Sequence, residues 1–212
     1  MLTWCDVLPV VRCVSRTRPA ERRALLAQLA EQAVGPVALC EGQPGEAPRD
    51  NWRRFLGLAG NSGRRWTLHC EDDACLSPDF AARALLLLAR EVANVLTFCC
   101  DRKCVLEAWQ TGRALVRLRP SELSGTVCFA LHSDLAPHLL AHLPGWEVAH
   151  PEHADGVDLQ LADFCRRERL LIQASAPSLA QHRPGPSLLG HSPGRWRHAR
   201  SYRLAYGEVP PC

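Results

Sequence analysis

Three consecutive carboxylates, Glu71-Asp72-Asp73, close the short apolar run Trp66-Thr67-Leu68-His69-Cys70. Adjacent like charges repel, so such a cluster is best explained where a divalent cation or a set of hydrogen-bond donors offsets it. The run before it has strand character, and Ser77 followed by Pro78 reads as a helix entry, Ser77 capping and Pro78 at the first helical position. A strand thus delivers acids to its carboxyl end, which is where ligands bind in an open α/β sheet. The same residues also read as a solvated acidic turn that caps the next helix.

Other residues carry possible chemistry. Asp155 and Asp158 place two carboxylates at a helix start, where either suits a general base; as a structural pair, Asp155 is an N-cap and Asp158 is favoured by the helix dipole. Arg12, Arg16 and Arg18 surround the end of the first strand, where guanidinium groups grip a diphosphate or form a solvated loop; Arg12 and Arg16 are the favoured pair. Cys99, Cys100 and Cys104, with Cys70 and Cys75, raise a zinc site, but paired C-x2-C knuckles are missing and strand positions favour small buried hydrophobes. Arg195 to Arg203 interleaves aromatic and basic residues, a mixture suited to nucleic acid, to an acidic polysaccharide, or to an arm packed back over a site.

The elements that position these groups follow from periodicity. Val7–Val14 reads as a buried strand, Ala20–Ala33 as a helix closed by Gly35, and Pro36–Cys40 as a second strand, which spells a parallel β-α-β unit. A loop over Glu41–Asn51, a helix from Trp52 to Leu58, the acid-tipped strand and a helix from Pro78 to Ala93 come next. Asn94–Cys99 is a strand, Asp101–Arg119 a polar turn with an antiparallel hairpin, and Thr126–Leu131 a strand after the Ser124-Gly125 turn. Helices are expected from Ser133 or Asp134 to His142, ended by Pro144-Gly145, and over Asp155–Arg169. Leu170–Ala174 is a strand, and from Ser175 the chain reads as a loop without a core of its own.

Length and composition bound the class. A chain of 212 residues, 47% hydrophobic and 22% charged, fits one globular domain rather than a disordered chain. The net charge is +3 and the basic side is almost all arginine, with Lys103 the sole lysine, a mild pointer to phosphorylated ligands. Eleven cysteines, an odd number, with a start that lacks a secretory pattern, predict free thiols in a reducing cytosol. No run approaches the roughly eighteen apolar residues of a membrane span.

Taken in order, several signals together resemble nucleotide-sugar-dependent glycosyltransferases of the GT-A fold, most of all their small bacterial and phage variants. They are the β-α-β start with Arg12 and Arg16, Glu71-Asp72-Asp73 with Leu76-Ser77-Pro78-Asp79-Phe80, Ser124-Gly125-Thr126, the Asp155/Asp158 helix, and Pro177-Ser178-Leu179-Ala180-Gln181-His182. The resemblance spans Val7 to about Gly190 and implies an α/β, Rossmann-like, mixed and mainly parallel sheet flanked by helices. Residues 1–190 would form the domain and 191–212 a basic, aromatic tail.

It further implies Mn²⁺ or Mg²⁺ held chiefly by Asp73, with Glu71 and His182. Glu71 and Asp72 would reach metal, ribose or donor sugar, and Arg12, Arg16, Trp52 and Arg53 would support the nucleotide. Asp155 or Asp158 would be the base. The expected reaction moves a sugar from a nucleotide diphosphate, a uridine one expected, to an acceptor hydroxyl. That hydroxyl belongs to a hydroxymethylated base in phage DNA or to a surface glycan. The expected location is the cytoplasm, that of the bacterial host for a phage-encoded enzyme. Two other classes compete: a non-catalytic nucleic-acid-binding module that uses the tail, and a nucleotidyltransferase. The latter is expected to carry a glycine-rich loop with a lysine where this chain has Ser15-Arg16-Thr17-Arg18-Pro19.

Overall fold

A computed structural model describes residues 1–13, 18–43, 45–123, 126–183 and 199–207. The β-branched run Val7–Cys13 forms β1, α1 covers Pro19–Glu31, and β2 (Ala38–Glu41) pairs parallel to β1 from Val10 opposite Ala38. Pro9 is tolerated in this inner strand because β2 begins only opposite Val10, so the missing N–H has no ladder partner to lose on that side. α1 stops before Gly35: Ala33 takes the left-handed conformation, with Val34 N donating to Leu29 O and Ala33 N to Ala30 O, each at 3.0 Å.

The chain continues through α2 (Pro48–Gly60), β3 (Trp66–Glu71), β4 (Ala74–Leu76), α3 (Phe80–Leu88), β5 (Val95–Thr97), α4 (Lys103–Gln110), β6 (Leu115–Leu118) and β7 (Cys128–His132). It closes with α5 (Leu135–Ala149), α6 (Val157–Arg167), β8 (Ile172–Ser175), β9 (Ala180–His182) and α7 (Arg200–Tyr206). Seven strands make one sheet in the order β2-β1-β3-β7-β5-β8-β6, and β4 with β9 makes a separate two-stranded ribbon. β7 is antiparallel to both β3 and β5, and β6 is antiparallel to β8; β1, β2, β3, β5 and β8 run in one direction. This is the mixed, mainly parallel sheet flanked by helices that the sequence predicts, and it puts the carboxyl ends of five strands on one edge.

Helices cover both faces. One core layer joins Leu25 and Leu29 of α1, Phe80 and Leu88 of α3 and Tyr202 of α7. The other joins Trp52 and Phe55 of α2, Leu139 and Leu143 of α5, and Leu161 and Phe164 of α6. Each such side chain stabilises the fold by about 1.5–3 kcal/mol relative to an exposed one. No described helix is long and apolar enough to cross a membrane.

Several expected boundaries move, each for a tertiary reason. α2 starts at Pro48, not Trp52, so Asn51 lies inside the helix, buried, with its amide donating to Cys40 O at 3.0 Å. The acids are followed by β4, and α3 begins two residues after Pro78, because Ala74-Cys75-Leu76 finds a partner strand in β9. Lys103–Gln110 is helical, since Val105 and Ala108 fill the core. β6 pairs with β8 rather than with its chain neighbour. α5 runs through Pro144, held by the burial of Leu143 and Trp146 on either side of it. The segment after Ser175 does reach the core, through β9 and through the buried Ser201 and Tyr202 of α7. The Ser124-Gly125 turn and residues 195–198 lie outside the described residues.

Candidate functional site

β3 ends at Glu71, a two-residue turn carries Asp72 and Asp73, and β4 starts at Ala74. The antiparallel ribbon sets Ala74 opposite His182, and Arg183 N donates to Asp73 O at 2.8 Å, extending the pairing by one step. That register carries the imidazole back over the strand end. One ligand atom from each of Glu71, Asp73 and His182 lies within 4.8 Å of the others, the one such group of His, Cys, Asp and Glu side chains among the described residues.

Asp73 is 8% exposed. Its Oδ2 pairs with the Arg18 guanidinium and lies 3.3 Å from His182 Nδ1, while Oδ1 is buried with no hydrogen-bond partner among the described residues. Glu71 Oε1 accepts from Arg12 at 3.3 Å and from the Thr126 hydroxyl at 3.2 Å. Two carboxylates and an imidazole form a hard donor set suited to Mg²⁺, Mn²⁺ or Zn²⁺. A buried carboxylate oxygen without a donor is what such a cation would complete, so the residues present fit the ion that the family likeness implies.

Electrostatics separates the two aspartates. Burial pushes Asp72 up to about 7, helped by the neighbouring Asp73 charge. Burial also works against ionisation of Asp73, but the hydrogen bond and charge of His182, with Arg18, outweigh it and hold this carboxyl below the ordinary range. For His182, burial alone would favour the neutral ring; the Asp73 carboxylate reverses the balance and raises the imidazole above its usual value.

A further layer of contacts lies beneath. Arg12, 3% exposed, donates from Nε to His69 Nε2 at 2.9 Å, and its other nitrogens reach Asn51 Oδ1 at 3.5 Å and Glu71. His69 is fully enclosed; burial and then the Arg12 charge drive it well below its ordinary value, so it is neutral with Nε2 accepting. Arg12 therefore holds the Glu71 carboxylate from inside the fold rather than projecting toward a ligand.

The other predicted residues fall in different places. Trp52 is 0% exposed and stacks on Phe55 with ring centroids 5.0 Å apart, which corrects its expected role: it belongs to the core and offers no face to a nucleotide. Arg53 pairs with Asp50 and Glu147, tying α2 to α5. Asp155 is exposed and accepts from Arg49 N at 3.2 Å, while Gly156, not Asp155, precedes the first helical residue of α6. Asp158 stands in the first turn of α6, half-buried, accepting from Leu159 N at 3.1 Å. Arg49 lies at the start of α2, soon after the carboxyl end of β2, so its bond to Asp155 brings the start of α6 toward the sheet edge that carries Glu71. Arg16 lies outside the described residues.

The ten described cysteines are all free. Cys70 Sγ lies 3.6 Å from Cys128 Sγ across β3 and β7; burial lifts the Cys99 thiol well above its usual value and that of Cys100 to about 11, so Cys99 and Cys100 are protonated packing groups. They supply no ligand to the described cluster. Sequence reasoning set Arg18 aside in favour of Arg12 and Arg16, read Thr126 only as part of the Ser124-Gly125-Thr126 signal, and gave Asn51 and His69 no place in the site. Arg18 was visible as the second arginine after β1, and His69 as the inward-alternating neighbour of Glu71; Thr126 depends on β7 inserting beside β3.

No family model matches the chain, and no curated protein does. Among solved structures it is similar to the crystal structure of mannose-1-phosphate geranyltransferase from Thermus thermophilus, at 14% identity and a TM-score of 0.47 over 80% of this chain and 73% of that one.

Proposed function

We propose that the protein is a metal-dependent GT-A-type glycosyltransferase that moves a sugar from a nucleotide-diphosphate sugar, UDP-linked, to an acceptor hydroxyl. The observation that carries the reading is the convergence of Glu71, Asp73 and His182 at the carboxyl end of β3, with a buried Asp73 oxygen lacking a donor. A Mn²⁺ or Mg²⁺ ion held there would supply positive charge to a departing diphosphate. Asp73 and His182 would hold it, and Arg12 with Thr126 orients Glu71. Asp72 turns toward ribose or donor sugar. Asp155 or Asp158, at the same sheet edge, accepts the proton of the acceptor hydroxyl.

Thermal stabilisation by UDP with Mn²⁺, and its loss in Asp73→Ala, tests the donor half of this reading: a protein that binds the complex gains stability by mass action. No shift with any nucleoside diphosphate and cation, in a folded protein, overturns it. For the acceptor, a base of hydroxymethylated phage DNA and a surface glycan both offer the hydroxyl. Incubation of hydroxymethylpyrimidine DNA with a donor panel decides between them, because a hexose mass increment on digested nucleosides identifies DNA. Lack of that increment with an active enzyme assigns the glycan. On α7, Arg200 and Arg203 are exposed while Tyr202 is buried, so the described part of the tail presents charge without its aromatic ring.

A further inference from the structure

Arg18 occupies an unusual position for a residue outside the cation-binding set. It is the last residue before α1, and its guanidinium pairs with Asp73 Oδ2, the oxygen that His182 Nδ1 also reaches at 3.3 Å. The side chains of Arg18 and Asp73 are only 13% and 11% exposed, so water does little to screen the pair. Asp73 Oδ1 has no donor among the described residues. A divalent ion ligated by Asp73 would therefore meet a guanidinium already seated on the same carboxylate, and two cations on one carboxylate repel each other.

We propose that Arg18 is an exchangeable internal cation: it neutralises Asp73 in the cation-free protein, yields that carboxylate to the divalent ion, and then binds the diphosphate that the ion brings. The proposal rests on the cation site put forward above. Three features support the second half of the exchange. Arg18 sits where α1 begins, and its own side chain does not cap that N-terminus. α1 follows β1, whose end pairs with the end of β3 at Arg12 and Glu71, so Arg18 and the acids share one edge. A guanidinium bonds phosphate oxygens bidentately, a geometry suited to a diphosphate. Arg12 cannot serve this purpose, because its nitrogens are committed to His69, Asn51 and Glu71.

The exchange predicts opposite effects of one substitution on two ligands. Free Mn²⁺ is measured by electron paramagnetic resonance, and UDP at saturating Mn²⁺ by calorimetry, on the wild type, Arg18→Gln and Asp73→Asn. Arg18→Gln should bind Mn²⁺ alone about tenfold more tightly and UDP about tenfold more weakly, the size of one charge-assisted contact. Its melting temperature without cation should fall, and added Mn²⁺ should raise it by more than in the wild type. Mn²⁺ affinity that is unchanged or lower in a folded Arg18→Gln protein overturns the exchange, as does UDP affinity that is unchanged. Failure of the wild type to bind Mn²⁺, with or without UDP, is a different result: it removes the cation site itself, and the proposed function with it.

Discussion

Two acidic pairs meet the same sheet edge, Asp72 with Asp73 after β3 and Asp155 with Asp158 around the start of α6, and their surroundings differ. The first is enclosed. Its partners come from far along the chain, Arg18 before α1 and His182 on β9, and burial separates its members, Asp72 rising to about 7 while Asp73 is held low. Asp155 is exposed and accepts from the backbone N–H of Arg49; Asp158 accepts from its own neighbour, Leu159. The contrast teaches that a cluster of carboxylates becomes a candidate site through what encloses it. Where protein groups replace water around a carboxylate, its charge persists only with a built partner, and that partner can be exchanged for a ligand.

The contrast can be tested through activity first. On the proposed function, Asp73→Asn should lower sugar transfer by about 10³-fold, as expected from losing several kcal/mol of charge stabilisation, and should abolish saturable Mn²⁺ binding. Asn at whichever of 155 and 158 is the base should cost about 10²-fold in kcat and leave UDP–Mn²⁺ affinity unchanged. Steady-state kinetics with a separate UDP titration reads both, and weakened UDP binding in the α6 variants would merge the two groups into one site.

Stability gives a smaller difference. Arg12→Met should cost about 3 kcal/mol in urea unfolding, because it strips a buried cation from His69, Asn51 and Glu71. Asp155→Ala should cost about 0.5–1 kcal/mol, the loss of one exposed hydrogen bond. Equal costs would mean that the network under Glu71 is not what holds that carboxylate.

The smallest effect is one of pH. Asp72 is raised from 3.8 to about 7 in the folded protein, so its stabilising contribution is complete below 3.8 and is lost as pH rises through about 7. In cation-free buffer Asp72→Asn should therefore stabilise the protein by about 1–2 kcal/mol at pH 8, after solvent screening, and by nothing near pH 4. Asp73 has the opposite sign: held low, it contributes above its ordinary value and loses that contribution as pH falls through its folded one. A melting curve of Asp72→Asn that parallels the wild type from pH 4 to pH 8 would show that Asp72 is not desolvated.

Much of the frame was legible from local pattern. β1, α1 and β2, the acid-tipped β3, and the buried face of α6 at Val157, Leu161, Phe164 and Cys165 all appear where periodicity sets them. Missed elements were short and borrowed: three-residue β4 and β9 exist because they pair with each other, and α4 and α7 because the core takes one face of each. Trp52 misled because its helix starts earlier than expected. Counted from Pro48, Trp52, Phe55, Leu56 and Ala59 fall on one buried stripe.

By itself the sequence determined that an acidic triplet would end a central strand of an α/β sheet, since alternation and turn chemistry act over a few residues. Tertiary structure decided which of those acids is neutralised, by what, and with which third ligand. Arg18 and His182 are 55 and 109 residues from Asp73, and only the β1–β3 pairing and the β4–β9 ribbon bring their charges to one carboxylate.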